Sequence, residues 1–98
     1  MKIRGTHEAL LRLCEIEDFI AQDSPCRARQ FVDQIIEHAE SLPDNPFSGR
    51  IVPEISNPDM RELIFKKYRI VYRINGNDID ILTVFEDHRL LRLDEIKA

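Results

Sequence analysis

Residues 61–85, RELIFKKYRIVYRINGNDIDILTVF, decide the fold because apolar residues recur at every second position on both sides of an Asn-Gly pair. Alternation with a period of two is typical of strands that bury one face. Asn75-Gly76 is the strongest short-range sign of a two-residue hairpin, whose turn positions favour positive φ. The first two strands of this region are expected to bury Leu63, Phe65, Tyr68, Ile70, Tyr72 and Ile74. After the turn, the alternation predicts one face made of Ile79, Ile81, Thr83 and Phe85 and another made of Asp80, Leu82, Val84 and Glu86.

The chain before this region has a helical period instead. Apolar residues recur three and four positions apart from about His7 to Gln22, and again after Ser24, which predicts two amphipathic helices. Ser24 is a good N-cap residue, and Pro25 suits the first helical position. The link QDSP is short, so we expect an antiparallel helical hairpin that ends at Pro43. The residues expected to be buried are Leu10, Leu13, Cys14, Ile16, Phe19 and Ile20 in the first helix and Ala28, Phe31, Val32, Ile35, Ile36, Ala39 and Leu42 in the second.

Together these patterns predict a single α+β domain over residues 1–98. The opening residues MKIRG are expected to form a short strand, so the element order is β-α-α-β-β-β. A helical hairpin then packs on one face of a mostly antiparallel sheet. Residues 43–59 hold four of the five prolines, which predicts an ordered surface loop between the two halves.

Composition argues against several classes of protein. No apolar run approaches the roughly 20 residues of a membrane span, and the N-terminus lacks the apolar core of a signal peptide, so we expect a cytoplasmic protein with no membrane contact. Cys14 and Cys26 are expected to be buried or half-buried free thiols, because the hairpin offsets them by roughly 9 Å, too far for a disulfide. His7 and His38 lie nearly level on the hairpin, but no further ligands accompany them. We therefore predict neither a metal site nor a cofactor.

Positive charge is concentrated in the sheet region, although the chain carries a net charge of −4. Residues 1–59 hold six Lys or Arg and eleven Asp or Glu, whereas residues 61–73 alone hold five cations and one anion. Arg69 and Arg73 are separated by an even number of strand positions and share a face, with Arg61 on the preceding strand. Such arginines can bind anionic groups. The same pattern is typical of the solvated face of an antiparallel sheet, so the spacing leaves both interpretations open.

Three segments resemble the RelE/ParE superfamily of bacterial toxins from toxin-antitoxin pairs: EIEDFIAQDSPCRARQFVDQI, NPFSGRIVPEI and MRELIFKKYRIVYRINGNDIDILTV. The resemblance extends from about Glu8 to Leu91. Its most specific parts are Gly49-Arg50, Val52-Pro53-Glu54, Arg61-Glu62-Leu63 and the run from Tyr68 to Tyr72. It implies the same fold, a cognate antitoxin as protein partner, and DNA binding only through the antitoxin complex.

The superfamily contains two activities. Members of the RelE type are ribosome-dependent endoribonucleases, and cleavage needs a base, an acid and a cation at the phosphate. The resemblance places Glu54 as the base, Arg69 as the cation and His88 as the acid. A second alignment, on the V-x-H-x-R-R pattern of many ParE-like chains, puts Glu86 at the histidine and Arg89 at the final arginine, and it removes the acid. Members of the ParE type inhibit DNA gyrase and cleave nothing themselves. In that interpretation Glu54 has a structural role, in which it pairs with a strand arginine and holds the proline-rich loop against the sheet.

The acidity of the chain favours the ParE type, because a protein that grips RNA phosphates usually carries a positive footprint. We therefore expect a non-enzymatic gyrase inhibitor in a plasmid stabilisation system, silenced by its antitoxin. Arg61, Arg69, Arg73 and Arg89 are the expected partner-binding residues. Of these, Arg61 and Arg69 are expected to meet carboxylates of the antitoxin. The alternatives are a ribonuclease that acts on mRNA in the ribosome and a non-toxic member that only binds its antitoxin.

Overall fold

Two helices lie on one face of a five-stranded sheet in the computed structural model, which describes residues 2–86. In chain order the elements are β1 (Lys2–Gly5), α1 (His7–Ala21), α2 (Pro25–Glu40), one turn of 3-10 helix (Leu42–Asp44), β2 (Arg50–Ile51), β3 (Met60–Phe65), β4 (Tyr68–Asn75) and β5 (Asp78–Glu86). The strand order is β1-β5-β4-β3-β2; β1 pairs with β5 in parallel, and the other three pairs are antiparallel. The predicted α+β class and element order are confirmed. The two-residue β2 is an additional strand within the predicted loop.

Each helix begins at a hydroxyl side chain that caps it. Thr6 Oγ1 accepts a hydrogen bond from the backbone N–H three residues later, and it lies 2.8 Å from the carbonyl oxygen of Ile81, to which it donates. This cap therefore also fixes the start of α1 to β5. Ser24 Oγ accepts from the backbone N–H of Arg27 at 3.3 Å, and Pro25 is the first residue of α2. The predicted cap and the proline position are confirmed.

The turn between β4 and β5 is shifted by one residue from the predicted Asn75-Gly76 pair. Asn75 pairs with Asp78, so Gly76 and Asn77 form the turn, and Gly76 alone of these two has a positive φ, 60°. Glycine at the first turn position suits a type II′ turn, in which one residue has positive φ, rather than the type I′ turn that Asn-Gly favours. The β3–β4 turn holds Lys66 at a φ of 55°, a conformation that costs a non-glycine residue energy.

The main core lies between the helical hairpin and the sheet. Its buried residues are Ala9, Ile16, Ile35, Leu42, Ile70, Tyr72, Ile79, Ile81 and Val84. Phe31 of α2 extends this core over β3 and β4, with ring centroids 5.6 Å from Phe65 and 5.3 Å from Tyr68. The predicted inward face of β3 and β4 is confirmed. A smaller cluster on the opposite face of the sheet contains Val52, Met60, Val71, Leu82 and Phe85.

The predicted faces of β5 hold only for its first half. The pairing of β4 with β5 shifts between Val71 and Tyr72, and Leu82 is the extra residue of a β-bulge. Beyond the bulge the alternation is inverted: Val84 packs in the helix-facing core, and Phe85 lies on the opposite face. The prediction was wrong there because a bulge adds one residue to a strand without changing its apolar character.

Several side chains of the helical hairpin are more exposed than their spacing predicts. Cys14 and Cys26 are free thiols, as expected, but both are exposed rather than buried.

His7 and His38, the two histidines considered as metal ligands, are exposed, and the His38 ring lies 4.4 Å from the ring of Phe65. Within residues 2–86, no group of three or more His, Cys, Asp or Glu residues could hold a metal ion. Across that same range, no helix has the length and apolar character to cross a membrane.

Candidate functional site

Four charged side chains form a network on the face of the sheet opposite the helices: Arg50, Glu54, Glu62 and Arg69. Arg69 on β4 and Glu62 on β3 both point to this face, while Glu54 comes from the loop between β2 and β3. Arg69 Nη1 and Nη2 donate to separate oxygens of Glu54, each at 2.9 Å. Arg69 Nε donates to one oxygen of Glu62 at 2.8 Å, and Arg50 Nε donates to the other. We call this set the arginine-glutamate network.

The centre of the network is shielded from water. Arg69 is 4% exposed and Glu62 is 1% exposed. The guanidinium carbon of Arg69 lies 5.0 Å from the ring centroid of Phe85, a distance at which a cation is attracted to the ring face. The hydrogen bonds to Glu54 raise the pKa of Arg69 above its ordinary value, against burial, which lowers it. Arg69 therefore keeps its charge, which faces the buried carboxylate of Glu62 and the partly exposed carboxylate of Glu54.

The network joins the two residues that a nuclease would need for different tasks. Both oxygens of Glu54, the candidate base, accept from Arg69, the candidate phosphate ligand. The guanidinium already donates from all three of its nitrogens to carboxylates. In this arrangement the pair holds the loop against the sheet, which is the structural role expected of Glu54 in the ParE-type interpretation. His88 and Arg89 lie outside the described residues, and their predicted roles stay predictions.

Arg61 and Arg73 are also held by contacts within the fold. Arg61 Nη1 donates to the carbonyl oxygen of Gly49 at 2.9 Å, and its guanidinium carbon lies 4.8 Å from the ring centroid of Phe47. Arg73 Nη2 donates to a carboxylate oxygen of Asp80 at 3.3 Å. Both arginine side chains remain partly exposed, whereas Arg69 is enclosed. Partner contacts of all three arginines remain predictions, and the two partly exposed ones are the more accessible.

Asp80 of β5 links the strands on either side of it, β1 and β4. Its carboxylate accepts from Arg4 Nε of β1 at 3.0 Å as well as from Arg73 of β4. Burial raises the pKa of Asp80, but the hydrogen bonds from Arg73 and Arg4 lower it by more, so the net pKa lies below its ordinary value. Most of the arginines on this face of the sheet are thus neutralised internally by carboxylates.

Tyr72 and Gly49 position the loop that leads into β2. The Tyr72 hydroxyl donates to the carbonyl oxygen of Pro46 at 2.7 Å and accepts from the backbone N–H of Gly49 at 3.1 Å. Burial raises the pKa of Tyr72, which keeps the hydroxyl protonated as a donor. A Cβ on Gly49 would lie 2.6 Å from both the carbonyl oxygen of Glu62 and the Tyr72 hydroxyl. Only glycine lets the loop approach the sheet this closely.

An apolar groove of about 260 Å³ opens between the first half of α1 and the second half of α2. We call it the apolar groove; its lining residues are Ile3, Gly5, Ala9, Leu10, Leu13, Ile35, Ile36, Ala39, Glu40, Ile70, Ile81 and Val84. Leu10 is 55% exposed and Ile36 is 39% exposed, although both belong to stripes predicted to be buried. The apolar spacing predicted the two helices correctly, but it could not show that the hairpin leaves this gap uncovered.

Comparisons with known proteins agree with this architecture. The chain matches the family described as "ParE toxin of type II toxin-antitoxin system, parDE" over residues 3–91. A curated Sinorhizobium fredii protein, the candidate toxin Y4kP, is 39% identical over 90 residues, which cover 90% of each chain. Among solved structures, a chain of the chromosomal ParDE toxin-antitoxin system of P. aeruginosa is similar with a TM-score of 0.74 and 25% identity, covering 88% of this chain and 95% of the other.

Proposed function

The chain belongs to the ParE family of toxins from type II toxin-antitoxin systems, and from this premise we propose that it inhibits DNA gyrase, cleaves no nucleic acid itself and is silenced by a cognate antitoxin. It acts in the cytoplasm, where its target and its antitoxin are, and it stabilises the plasmid or chromosomal element that encodes the pair. Membership of the family establishes that the protein is a ParE-type toxin, whereas its target and the surface with which it inhibits that target are proposed.

The observation that carries the proposal is the closed pair of Glu54 and Arg69. A ribonuclease of the RelE type needs one group to remove a proton and a separate cation to stabilise the phosphate. Here the two candidates bind each other through two parallel hydrogen bonds of 2.9 Å. Arg69 is 4% exposed but the Glu54 side chain is 26% exposed, so freeing either group costs on the order of 1–3 kcal/mol, the cost of leaving a charged hydrogen-bonding group without its partner. This cost supports a toxin that acts by binding rather than by catalysis.

Charge supports the same conclusion. A protein that enters the ribosome must approach a dense array of phosphates, and each phosphate contact needs a cation that is available to it. This chain carries a net charge of −4, and its central arginine is bound to two carboxylates. Inhibition of a protein target requires a complementary surface, which the acidity does not prevent.

The apolar groove is the part of the surface best suited to the antitoxin. It exposes aliphatic side chains of both helices that a soluble partner segment can cover, and such exposed apolar surfaces mark sites of protein binding. A solved structural relative is described as part of a ParDE toxin-antitoxin system. We propose that apolar side chains of the antitoxin fill this groove and that its carboxylates meet the partly exposed Arg61. A contact with Arg69 would require an antitoxin carboxylate to take the place of Glu54, so that the guanidinium keeps a carboxylate partner.

Expression in cells distinguishes the candidate functions. Production of the chain without its antitoxin is expected to induce a DNA-damage reporter while incorporation of radiolabelled methionine continues during the first minutes. Co-expression of the antitoxin is the control and should abolish the response. Immediate arrest of methionine incorporation with a silent reporter would instead indicate the ribonuclease, and unchanged growth at equal protein levels would indicate a non-toxic member.

A further inference from the structure

A second groove lies at the opposite end of the helical hairpin, where α2 faces the β3–β4 turn. It has a volume of about 290 Å³ and is lined by Ile20, Arg27, Gln30, Phe31, Gln34 and Lys66. We call it the turn-side groove. It shares no lining residue with the apolar groove, and none of the residues in the arginine-glutamate network contributes to it.

The two cations of the turn-side groove lack the carboxylate partner that most of the described arginines have. Within residues 2–86, six arginines lie within 4.0 Å of a carboxylate: Arg4, Arg12, Arg29, Arg50, Arg69 and Arg73. Arg27 and Lys66 are not among them. Lys66 Nζ instead lies 5.6 Å from the ring centroid of Phe31 and 5.4 Å from that of Phe65. In an acidic chain, the turn-side groove is thus lined by two cations that have no carboxylate of residues 2–86 within 4.0 Å.

The remaining lining residues suit a peptide. Arg27, Gln30 and Gln34 are three and four positions apart on α2, so their side chains project along one side of the helix. A glutamine side chain offers both a donor and an acceptor, as the backbone amide of an extended peptide requires. Phe31 and Ile20 provide an apolar floor beside these polar groups. Charge, amide and apolar contacts are therefore available within one groove.

We propose that the turn-side groove binds an acidic segment of a protein partner. A carboxylate of that segment lies between Arg27 and Lys66, its backbone amides pair with Gln30 and Gln34, and a neighbouring apolar side chain covers Phe31. A nucleic acid is the less favoured occupant, because two cations neutralise too few phosphates to overcome the net negative charge of the chain. The proposal does not depend on gyrase as the target, since it concerns only the chemistry that this groove recognises.

The probe that tests it is the capped tripeptide acetyl-Glu-Leu-Glu-amide, titrated into the full-length, antitoxin-free chain and followed by amide chemical shifts. Saturable shifts are expected in residues 27–34 and 65–68, with a dissociation constant on the order of 1 mM, because the contacts are exposed. The uncharged analogue acetyl-Gln-Leu-Gln-amide should bind at least tenfold more weakly. Arg27→Glu should weaken binding of the acidic peptide at least tenfold, whereas Arg29→Glu, the same charge change at an ion-paired position outside the groove, should alter it less than twofold.

Three results would overturn the proposal. Equal binding of both tripeptides would show that charge is not recognised. Equal loss of binding in the two charge-reversal variants would indicate a general electrostatic effect rather than this groove. Saturable shifts in the same residues with inorganic phosphate or a ten-nucleotide single-stranded DNA, and none with the acidic tripeptide, would assign the groove to phosphate.

Discussion

On the sheet face opposite the helices, the contacts of single side chains distinguish a catalytic site from a structural network of ion pairs. Arg69 binds Glu54 through two parallel hydrogen bonds and binds Glu62 through Nε and Nη2. The ParE-type interpretation of the sequence predicted that Glu54 pairs with a strand arginine, and the structure identifies that arginine as Arg69. The sequence could not predict that Glu62 and Arg50 join the pair, since this depends on the register of three strands.

Removal of Arg69 tests the structural role of the network. Arg69→Ala leaves Glu62 buried with only Arg50 as a partner, so we expect the free energy of unfolding to fall by about 3 kcal/mol. Urea denaturation monitored by circular dichroism measures the loss. Arg29→Ala removes an exposed i,i+4 pair with Asp33 and should cost less than about 0.5 kcal/mol. Equal stability of Arg69→Ala and the wild type would contradict the structural role.

Gly49 offers a second test at the same scale. In Gly49→Ala the new Cβ meets the Glu62 carbonyl oxygen and the Tyr72 hydroxyl at 2.6 Å, so the loop must move away from the sheet. We expect a loss of about 1–3 kcal/mol in the free energy of unfolding, as in other overpacked sites. Gly5→Ala is the matched control, because its Cβ meets Leu10 at an ordinary 3.6 Å. A loss no larger than in the control would show that the loop is free to shift.

Secondary-structure elements were the part of the molecule that the sequence predicted best. The Ser24 cap, the proline that opens α2 and the alternation of β4 are local patterns, and each is found in the structure. The predictions were wrong where the structure depends on pairing between strands. The bulge at Leu82 inverts which side chains face the helices at the end of β5, and the β4–β5 turn is displaced by one residue. Register is set by both strands together, so it cannot be derived from the pattern of one.

The start of α2 leads to a prediction at this scale. The helix has no acidic residue in its first turn, where a negative charge would interact favourably with the helix dipole. We expect Arg27→Glu to raise the free energy of unfolding by about 0.5 kcal/mol. The same change at Arg29 replaces an attraction to Asp33 by a repulsion and should lower it by a few tenths, roughly 0.3 kcal/mol. Thermal unfolding at low salt compares the two variants, and a less stable Arg27→Glu would contradict the dipole argument.

At the scale of the whole fold, residues 2–86 form a groove at each end of the helical hairpin and a sheet face whose arginines are mostly neutralised. The positive charge of residues 61–73 is therefore divided: Arg69 and Arg73 are bound by carboxylates, while Lys66 contributes to the turn-side groove. The sequence predicted the fold and the local excess of cations. The grooves were not predictable, because they arise from the distance between the helices and from the position of a turn beside α2.

The apolar groove gives a prediction about the antitoxin. Leu10→Glu places a charge at the mouth of the groove, so we expect the affinity for the antitoxin to fall at least tenfold while the fold is kept, because Leu10 is already half exposed. Phe19→Glu is the control: Phe19 is 67% exposed on the same helix but lies outside the groove. Titration calorimetry with the antitoxin should show a change of less than twofold for the control. Equal affinities of the two variants would place the antitoxin elsewhere.

The central claim is that this toxin acts on DNA gyrase by binding, and the most direct measurement is a supercoiling assay with the purified, antitoxin-free chain. Relaxed plasmid, gyrase and ATP are incubated with increasing toxin, and both lost supercoiling and trapped cleaved DNA are scored. We expect inhibition at micromolar or lower concentration that is reversed by stoichiometric antitoxin. Full supercoiling in the presence of folded toxin, together with cleavage of ribosome-bound mRNA by the same sample, would contradict the claim.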